Sequence, residues 1–490
     1  MELVAALAGA HEDTSAGDPE IARVSQDSRQ VAPGDLFVAI RGAKSDGLSH
    51  VEEAIARGAS AVVSDRPPPK GYEIPWITFA NPRLALALLA ARLAGDPSEK
   101  LVLAGVTGTN GKTTTATLLE ALLARRYGRA GFLGTVGYRT GRASRPAERT
   151  TPDATLLQTL LAELVAQGVP AAALEVSSHA LALERAAACR FDLTVFTNLT
   201  RDHLDFHRDF ESYYQAKKKL FGLRKPGAWA LVNADDPAGR RLMGEISPPL
   251  VSYSALGAAA DFRAEAVSLD LSGTAFDLVS EGTRLRVTSP LLGRFNVENL
   301  LAAAAGGLLL GMRSPDVAAA LADVRNVPGR MERVEAGQPY TILVDYAHTE
   351  DALRRLLSGV RDLTDKKIVL VFGCGGERDT GKRFPMGEVA GRLADIPIVT
   401  SDNPRSEDPE AILSQVEEGI VSSGATKYLK LPDRREAIRA AIELANPGTI
   451  VVIAGKGHET TQAIGGREIP FDDRLVAAEF ARRNGSKDRS

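Results

Sequence analysis

Residues 108–114 read GTNGKTT, between the apolar run LVLAGV and the helical pattern TATLLEALLA. A glycine turn that leads from a strand into a helix points backbone N–H groups at an anion, and the helix dipole adds to the attraction. In that setting Lys112 reaches the β- and γ-phosphates of a nucleotide, and the Thr113 hydroxyl reaches Mg2+. The spacing departs from the strict phosphate-loop form, because five residues rather than four separate Gly105 from Gly111, and Val106 holds the four-spaced position. An ordinary glycine-rich strand–helix turn is the bland alternative. The unbroken order of strand, GTNGKTT and helix favours the nucleotide.

Four further clusters could do chemistry. Glu175 closes the strand-like AAALE, where a carboxylate can reach a metal, though a cap or surface charge reads the same way. His203 and His207, in TRDHLDFHRDF, stand four apart, the spacing of a zinc pair if both lie on one helix. No cysteine is near, and the aspartates around them suit a hard, oxygen-loving ion better. Asn296 and Asn299, in GRFNVENLL, open a helical stretch, where capping is the simplest role. Asp345 and His348, in VDYAHTEDAL, follow a strand, and either alone in such a loop is most often structural.

The elements that must position these groups follow from the apolar pattern. Up to residue 97, short strand-like pieces (DLFVAI, SAVVS, PWITFA) alternate with helical ones, and AGDPSEK over 94–100 reads as a linker. From 98 to 328 the strand runs LVLAGV, AAALEV, LTVFTNL and AWALVNA recur between helices, which means a mostly parallel, doubly wound sheet. Residues 261–289 alternate like antiparallel β, and an Ala/Leu helix is predicted over 297–311. After NVPGRMERVE the rhythm resumes over 329–490 with TILVDYA, KIVLVFG, IPIVTSD and TIVVIAG, each strand ending in polar or glycine residues. Ligands of such sheets bind outside the carboxyl ends of the strands. The expected fold class is therefore α/β, in three domains: 1–97, 98–328 and 329–490.

Composition narrows the setting. Of the 490 residues 44% are hydrophobic, and the formal net charge is -3, so no global field draws nucleic acid or an anionic membrane. The two cysteines, Cys189 and Cys374, make no disulfide framework and fit a reducing compartment. The N-terminal stretch lacks a basic region followed by an apolar one, and no apolar run nears the ~20 residues of a membrane span. The expectation is a soluble cytoplasmic protein with no membrane insertion and no nucleic-acid partner.

GTNGKTT, EVSSHAL, TNLTRDHLDFH with YYQAK, GRFNVEN, PGRME and DYAH stand in the order found in the Mur ligases, and the resemblance covers nearly the whole chain. That family joins amino acids to peptidoglycan precursors at the cost of ATP. DSRQVAPGDLFVAIRGAKSDG, ERTTPDA, GCGGERDTGKRFPMG and SDNPRSEDP resemble the members that add the third stem-peptide residue to UDP-N-acetylmuramoyl-L-alanyl-D-glutamate. The resemblance implies a UDP-sugar-binding N-terminal domain, a central ATP-binding P-loop domain and a C-terminal, Rossmann-like amino-acid-binding domain. It implies a route in which the D-Glu γ-carboxylate takes the γ-phosphate of ATP, and the acyl phosphate is attacked by an amine. Two anions meet in the first step, so catalysis would rest on positioning and charge neutralisation.

Residue by residue, the resemblance assigns ATP to Gly108, Thr109, Asn110, Gly111, Lys112, Thr113 and Thr114, with Asn296, Asn299, Arg330 and Asp345. Two Mg2+ ions would be served by Thr113, Glu175, His203 and a carbamylated Lys217; otherwise Lys217 is one of three solvated lysines. Lys112, Glu175, His203 and Lys217 form the catalytic group. The nucleotide-sugar dipeptide falls to Ser28, Ala43, Lys44, Ser45, Thr150, Thr151, Ser177 and Arg185.

The turn chemistry of DNPR aims Arg405 at the incoming amino acid, where a guanidinium favours the distal carboxylate of meso-diaminopimelate and repels the distal ammonium of lysine. Asp402, Asn403, Pro404, Arg405, Arg378, Gly455 and Glu459 would form that pocket. The chain departs from the family pattern at Arg149, Leu183, Glu350 and Leu475, none of them a proposed phosphate or metal contact. Addition of L-lysine, addition of D-Ala-D-Ala and a non-catalytic nucleotide-sugar sensor are the competing readings; folate polyglutamylation is disfavoured by the DSR segment. The expected partners are ATP, UDP-MurNAc-L-Ala-D-Glu and meso-diaminopimelate, bound by a monomer whose domains close.

Overall fold

The computed structural model of the chain describes residues 7, 11–12, 17–42 and 45–487. Its contacts divide it into two compact units. One comprises Met1–Glu265, Asp277–Arg286 and Glu298–Leu321, and the other Ala266–Phe276, Val287–Val297 and Ala322–Ser490.

The first unit holds the first sequence block and most of the second, each around its own sheet. The N-terminal sheet runs in the order His11–Glu12, Trp76–Thr78, Ala61–Ser64, Asp35–Val38, Arg23–Ser25, parallel except at the His11–Glu12 edge. The helix Pro82–Leu93 packs on the helix Ala154–Ala166 of the next block, and Ala154 and Ala188 join the core beneath the N-terminal sheet. That shared apolar contact makes the two blocks one unit.

In the central sheet the strand Val102–Thr107 lies between Ala171–Glu175 and Phe191–Phe196, parallel to both. Arg224–Asn233 and Leu250–Ser254 extend it in parallel on one side, and Gly131–Gly134 on the other. The alternating stretch expected over 261–289 forms Phe262–Asp270, Gly273–Ser280 and Thr283–Ser289, consecutive neighbours at the sheet's far edge. Its first strand pairs parallel, not antiparallel, with Leu250–Ser254. The Ala/Leu helix runs Arg294–Leu309, starting earlier than its apolar run.

The second unit is built on the order Glu332–Arg333, Thr341–Asp345, Ile450–Ala454, Ile368–Phe372, Ile396–Val399, Leu429–Lys430, parallel apart from the first pair. These strands are continuous apolar runs because both faces are covered. Successive side chains alternate between two cores. Leu343, Leu370, Phe372, Val452 and Ala454 enter one; Ile342, Val344, Val369, Val371, Val451 and Ile453 enter the other. No helix among the described residues is long and apolar enough to cross a membrane.

Candidate active site

At the carboxyl end of Val102–Thr107 the chain bends through Gly108 and Gly111 into the helix Lys112–Tyr127. Gly111 has φ +85°, the left-handed region, and a Cβ there would run into Asn299 Oδ1; at Gly108 a Cβ would run into Thr197 Oγ1. The bend is held from below by the segment after Phe191–Phe196. Thr109 N donates to Asn198 O at 2.8 Å, Asn110 N to Asn198 Oδ1 at 2.9 Å, and Thr197 Oγ1 to Asn110 O at 2.6 Å. Thr109 Oγ1 meets the Tyr213 hydroxyl at 3.1 Å. Thr113 and Thr114 are buried on the first turn of the helix, and no side chain caps it, the arrangement of an anion seat.

Two lysines converge on this bend. Lys112 Nζ donates to Gly108 O at 2.9 Å and Thr109 O at 2.7 Å. Lys217, on the helix Phe210–Lys218 capped by Asp209, donates from Nζ to Gly108 O at 2.7 Å and lies 4.5 Å from the centre of the Tyr213 ring. It is 1% exposed, so it is not one of three solvated lysines. Burial, and then the charge of Lys112, push its amine well below the ordinary lysine range.

Glu175 is fully buried. Thr113 Oγ1 donates to its Oε2 at 2.9 Å, Thr135 N to Oε1 at 2.7 Å, and Thr135 Oγ1 lies 3.1 Å from Oε2. A carboxylate and a hydroxyl side by side next to a phosphate seat are hard oxygen donors of the kind Mg2+ takes, with phosphate and water completing its shell. Among the described residues there is no group of three or more His, Cys, Asp or Glu that could hold a metal ion.

The histidine pair is not a zinc pair. His203 sits outside the short helix Leu204–His207 with φ +53°, its Nε2 3.3 Å from Asp202. His207 instead turns its Nε2 to Ser178 Oγ at 2.9 Å. The His203 ring stands edge-on to His179, 4.8 Å away, and burial lowers the pKa of both, that of His179 to about 4.

A cavity of about 260 Å3 is lined by Lys112, Thr150, Ser177, Arg185, His203 and Lys217, which the sequence spreads over a hundred residues. Thr150 Oγ1 is 3.0 Å from Thr135 Oγ1, and Arg185 donates to Thr151 O at 3.3 Å. Burial, followed by the nearby charge of Arg149, lowers the pKa of Arg185. Thr151 borders the cavity but is 1% exposed, and its hydroxyl is engaged by Glu175 O at 2.8 Å and Ser177 N at 3.0 Å. Its part is to hold the wall.

In the N-terminal sheet region Ser28 donates to Glu53 at 2.8 Å, and Ser45 Oγ meets His50 Nε2 at 2.8 Å. Ala43 and Lys44 lie outside the described residues. Asn299 accepts from Thr115 Oγ1 at 3.2 Å and belongs to the first unit.

The other proposed residues lie in the second unit. Asn296 is buried, donating to Leu292 O at 2.7 Å. Arg330 lies over the Tyr346 ring, 5.0 Å from its centre. The Asp345 oxygens accept the N–H groups of Met331 and Ala347 at 2.7 and 2.8 Å, so its first task is to tie the 329–331 turn to its strand. His348 is exposed, with Nδ1 on Tyr346 O at 2.9 Å.

Arg405 has φ +55° and is clamped by Ala463 O and Gly465 N at 2.9 and 2.7 Å, while its guanidinium donates to Gly376 O. Asn403 Nδ2 and Lys456 Nζ both donate to Glu459 Oε2, at 3.0 and 2.8 Å. Burial opposes ionisation of Glu459, but Lys456 and Asn403 outweigh it and hold its carboxyl below the usual range. Asp402 and Pro404 are buried, Gly455 lies against the Asp402 carboxylate, and Arg378 is exposed.

Sequence reasoning missed Thr135, which touches Glu175, and Lys456 and the Arg434–Asp473 ion pair, all fully buried near Asp402. GTVGY gave no sign of the first. An apolar-bounded lysine in IAGKGH was a usable signal for the second.

Three family descriptions match the chain: Mur ligase family, catalytic domain over 20–93; Mur ligase middle domain over 106–307; and Mur ligase, glutamate ligase domain over 329–457. The UDP-N-acetylmuramoyl-L-alanyl-D-glutamate–2,6-diaminopimelate ligase of Geobacillus kaustophilus is 45% identical over 476 residues, 96% of either chain. That of Geobacter metallireducens is 45% identical over 96% of this chain and 95% of its own. A solved structure of a ligase of the same name superposes with TM-score 0.70 at 36% identity, covering 95% of both chains.

Proposed function

The chain belongs to the Mur ligase family, and we propose from that premise that it joins 2,6-diaminopimelate to UDP-N-acetylmuramoyl-L-alanyl-D-glutamate. It is an ATP-dependent, amide-forming ligase of peptidoglycan precursor synthesis. The finer reading takes the meso isomer as amino acid and the D-Glu γ-carboxylate as the group activated. It assigns three domains, 1–97, 98–328 and 329–490, to the nucleotide sugar, to ATP and to the amino acid, in a cytoplasmic monomer. Two thiols, both buried and unpaired, agree with a reducing compartment.

Joining a carboxylate to an amine in water is uphill. Transfer of the γ-phosphoryl group to the carboxylate makes an acyl phosphate, and attack by the amine releases phosphate and leaves the amide. The Gly108–Thr114 bend cradles the phosphates of ATP through backbone N–H groups. Lys112 leaves its two carbonyl partners to meet the phosphoryl group, offsetting the repulsion between two anions. Arg185 and Thr150 hold the dipeptide so that its carboxylate lies in line with the phosphate. Thr113 and Glu175 would hold one Mg2+ and His203 with a carbamylated Lys217 a second, and ions held there would supply neutralisation of the charge that develops. An unmodified lysine is no ligand for a hard cation, but a buried, uncharged amine is the form that adds CO2. Lys217 plus CO2 gives a carbamate and a proton, an anion suited to the site.

On the amine side, Glu459, braced by Lys456 and Asn403, takes an ammonium group of the incoming amino acid. Arg405 takes its distal carboxylate.

The observation that carries this reading is the convergence of Lys112, Lys217, Arg185 and Thr150 on one cavity beside Glu175. The test is release of ADP with the nucleotide dipeptide and meso-diaminopimelate supplied together and singly. Release only with both supports the ligase; nucleotide binding without turnover identifies a sensor, and faster turnover with L-lysine or D-Ala-D-Ala reassigns the acceptor.

A further inference from the structure

Two loops of the second unit carry the arginines assigned to the amino acid, Arg378 on 373–382 and Arg405 on 401–408. Both side chains lie over Gly375. A Cβ built there would stand 3.2 Å from Arg405 Nη1 and 3.9 Å from Arg378 Cγ. Two guanidiniums repel each other, so their loops must be held together by other groups.

The loops are joined by a short series of bonds. Gly376 N donates to Asn403 O at 2.9 Å, and the Arg405 guanidinium donates to Gly376 O. A Cβ at Gly376 would run into Pro404 O, so the two backbones touch. Glu377, next in the chain, has φ +52°, the left-handed region that a residue with a Cβ keeps only where its surroundings hold it. Its N–H donates to Glu407 Oε1, and its carboxylate accepts Ser406 Oγ. Arg378 follows directly, so the Glu377 backbone decides where Arg378 leaves its loop.

Glu407 is itself anchored. Its other oxygen, Oε2, takes Arg383 Nη2 at 2.7 Å, and Arg383 Nη1 donates to Gln415 Oε1 at 3.0 Å. Arg383 is buried, at the start of the helix Arg383–Leu393, and Gln415 lies on the helix Pro409–Ser422. A Cβ at Gly387 would run into Val416 O and one at Gly419 into Phe384 O, so these helices are packed backbone to backbone. One carboxylate therefore ties a left-handed loop residue to a rigid helix pair, with one oxygen on each.

We infer that Glu407, anchored by Arg383, is the positioning residue that sets the guanidiniums of Arg378 and Arg405 for the distal carboxylate of the incoming amino acid. The inference rests on the diaminopimelate reading of this site. Bidentate recognition of a carboxylate depends on the geometry of its donors, and a clasp that fixes the donors beforehand spares the ligand the cost of ordering them.

The experiment measures steady-state kinetics with ATP, UDP-MurNAc-L-Ala-D-Glu and either meso-diaminopimelate or L-lysine. In Glu407→Gln one oxygen becomes an amide nitrogen, which only donates. The buried Arg383 keeps the remaining oxygen, and the new N–H group then opposes the Glu377 N–H. KM for meso-diaminopimelate is expected to rise about tenfold, the loss typical of a charge-assisted contact. The kcat value and the KM values for ATP and the nucleotide should stay within about twofold, and L-lysine should be used no worse. Adding Glu377→Gly, which takes a positive φ unaided, should return KM to within about threefold of the unmutated value. Arg383→Lys keeps the charge without the fork and should raise the same KM by a smaller factor; it decides the matter if Glu407→Gln does not fold. An unchanged KM, an equal loss for both amino acids, or no recovery with Glu377→Gly overturns the inference, and Glu407 then serves the fold alone. No ligation of meso-diaminopimelate by the unmutated protein would sink the proposed function, which a failure confined to the variants leaves standing.

Discussion

Lys112 and Lys217 share one acceptor, the carbonyl oxygen of Gly108, at 2.9 and 2.7 Å. Burial, and then the charge of Lys112 beside it, push the Lys217 amine well below the ordinary lysine range, which favours the free amine that CO2 takes. In 13C-labelled bicarbonate, NMR should show one carbamate carbon that is absent from Lys217→Arg. Replacing Lys112 by Met removes the second cause of the depression, so Lys217 should then hold its proton to higher pH and carbamylate less at a given CO2 pressure. Ligation itself should fall by about 10^2–10^3 in Lys112→Met, the loss typical of one oriented electrostatic group.

Arg405 is held rigidly by its left-handed backbone and by Gly376 O. Loss of a charge-assisted contact to a carboxylate should lower kcat/KM for meso-diaminopimelate about 10- to 100-fold in Arg405→Ala. L-lysine, which lacks that carboxylate, should be unaffected or improved. Steady-state kinetics with both amino acids checks this, and an equal fall for both would show that Arg405 serves only the loop.

Arg434 and Asp473 are fully buried and paired through two hydrogen bonds of 2.8 and 2.7 Å, and Arg434 also reaches Ala454 O at 3.0 Å. Asp473→Ala leaves a guanidinium without its counter-charge and should cost about 3–5 kcal/mol in urea unfolding. Replacing both partners by apolar residues of similar volume should cost less than either single change.

Burial, then the charge of Arg330, push His458 down to about 4. Its unfolded value is near 6.5, so between these pH values the unfolded chain binds the extra proton. The stability His458 contributes is fully present above pH 6.5 and is lost as pH falls toward 4. His458→Gln should flatten the stability–pH curve in that window, by an amount on the order of 2 kcal/mol at its acid end. Thermal melts of both proteins from pH 4 to 8 measure the difference.

Much of this protein is decided locally and was readable in the sequence. Strand, bend and helix around Gly108–Thr114 follow from an apolar run, from glycines where φ is positive and from good helix formers. DNPR makes its turn because Asn-Pro can do little else. The parallel strands were legible because strands buried on both faces must be apolar throughout. The edge pairing of Phe262–Asp270 was not, since alternation reveals a half-exposed strand but not the direction of its neighbour. Nor could spacing show that His203 lies outside a helix while His207 turns to Ser178.

What the sequence determined by itself was which residue types stand at strand ends and in which order, because those depend on neighbours a few positions away. Only the tertiary structure decided which of them meet. The Lys217 amine is pushed below the ordinary lysine range because the fold buries it beside Lys112, against a carbonyl 109 positions earlier in the chain. Thr135 meets both Thr150 and Glu175, 15 and 40 positions further along the chain. Desolvation and the direction of a hydrogen bond belong to groups brought together in space, and no local pattern encodes them.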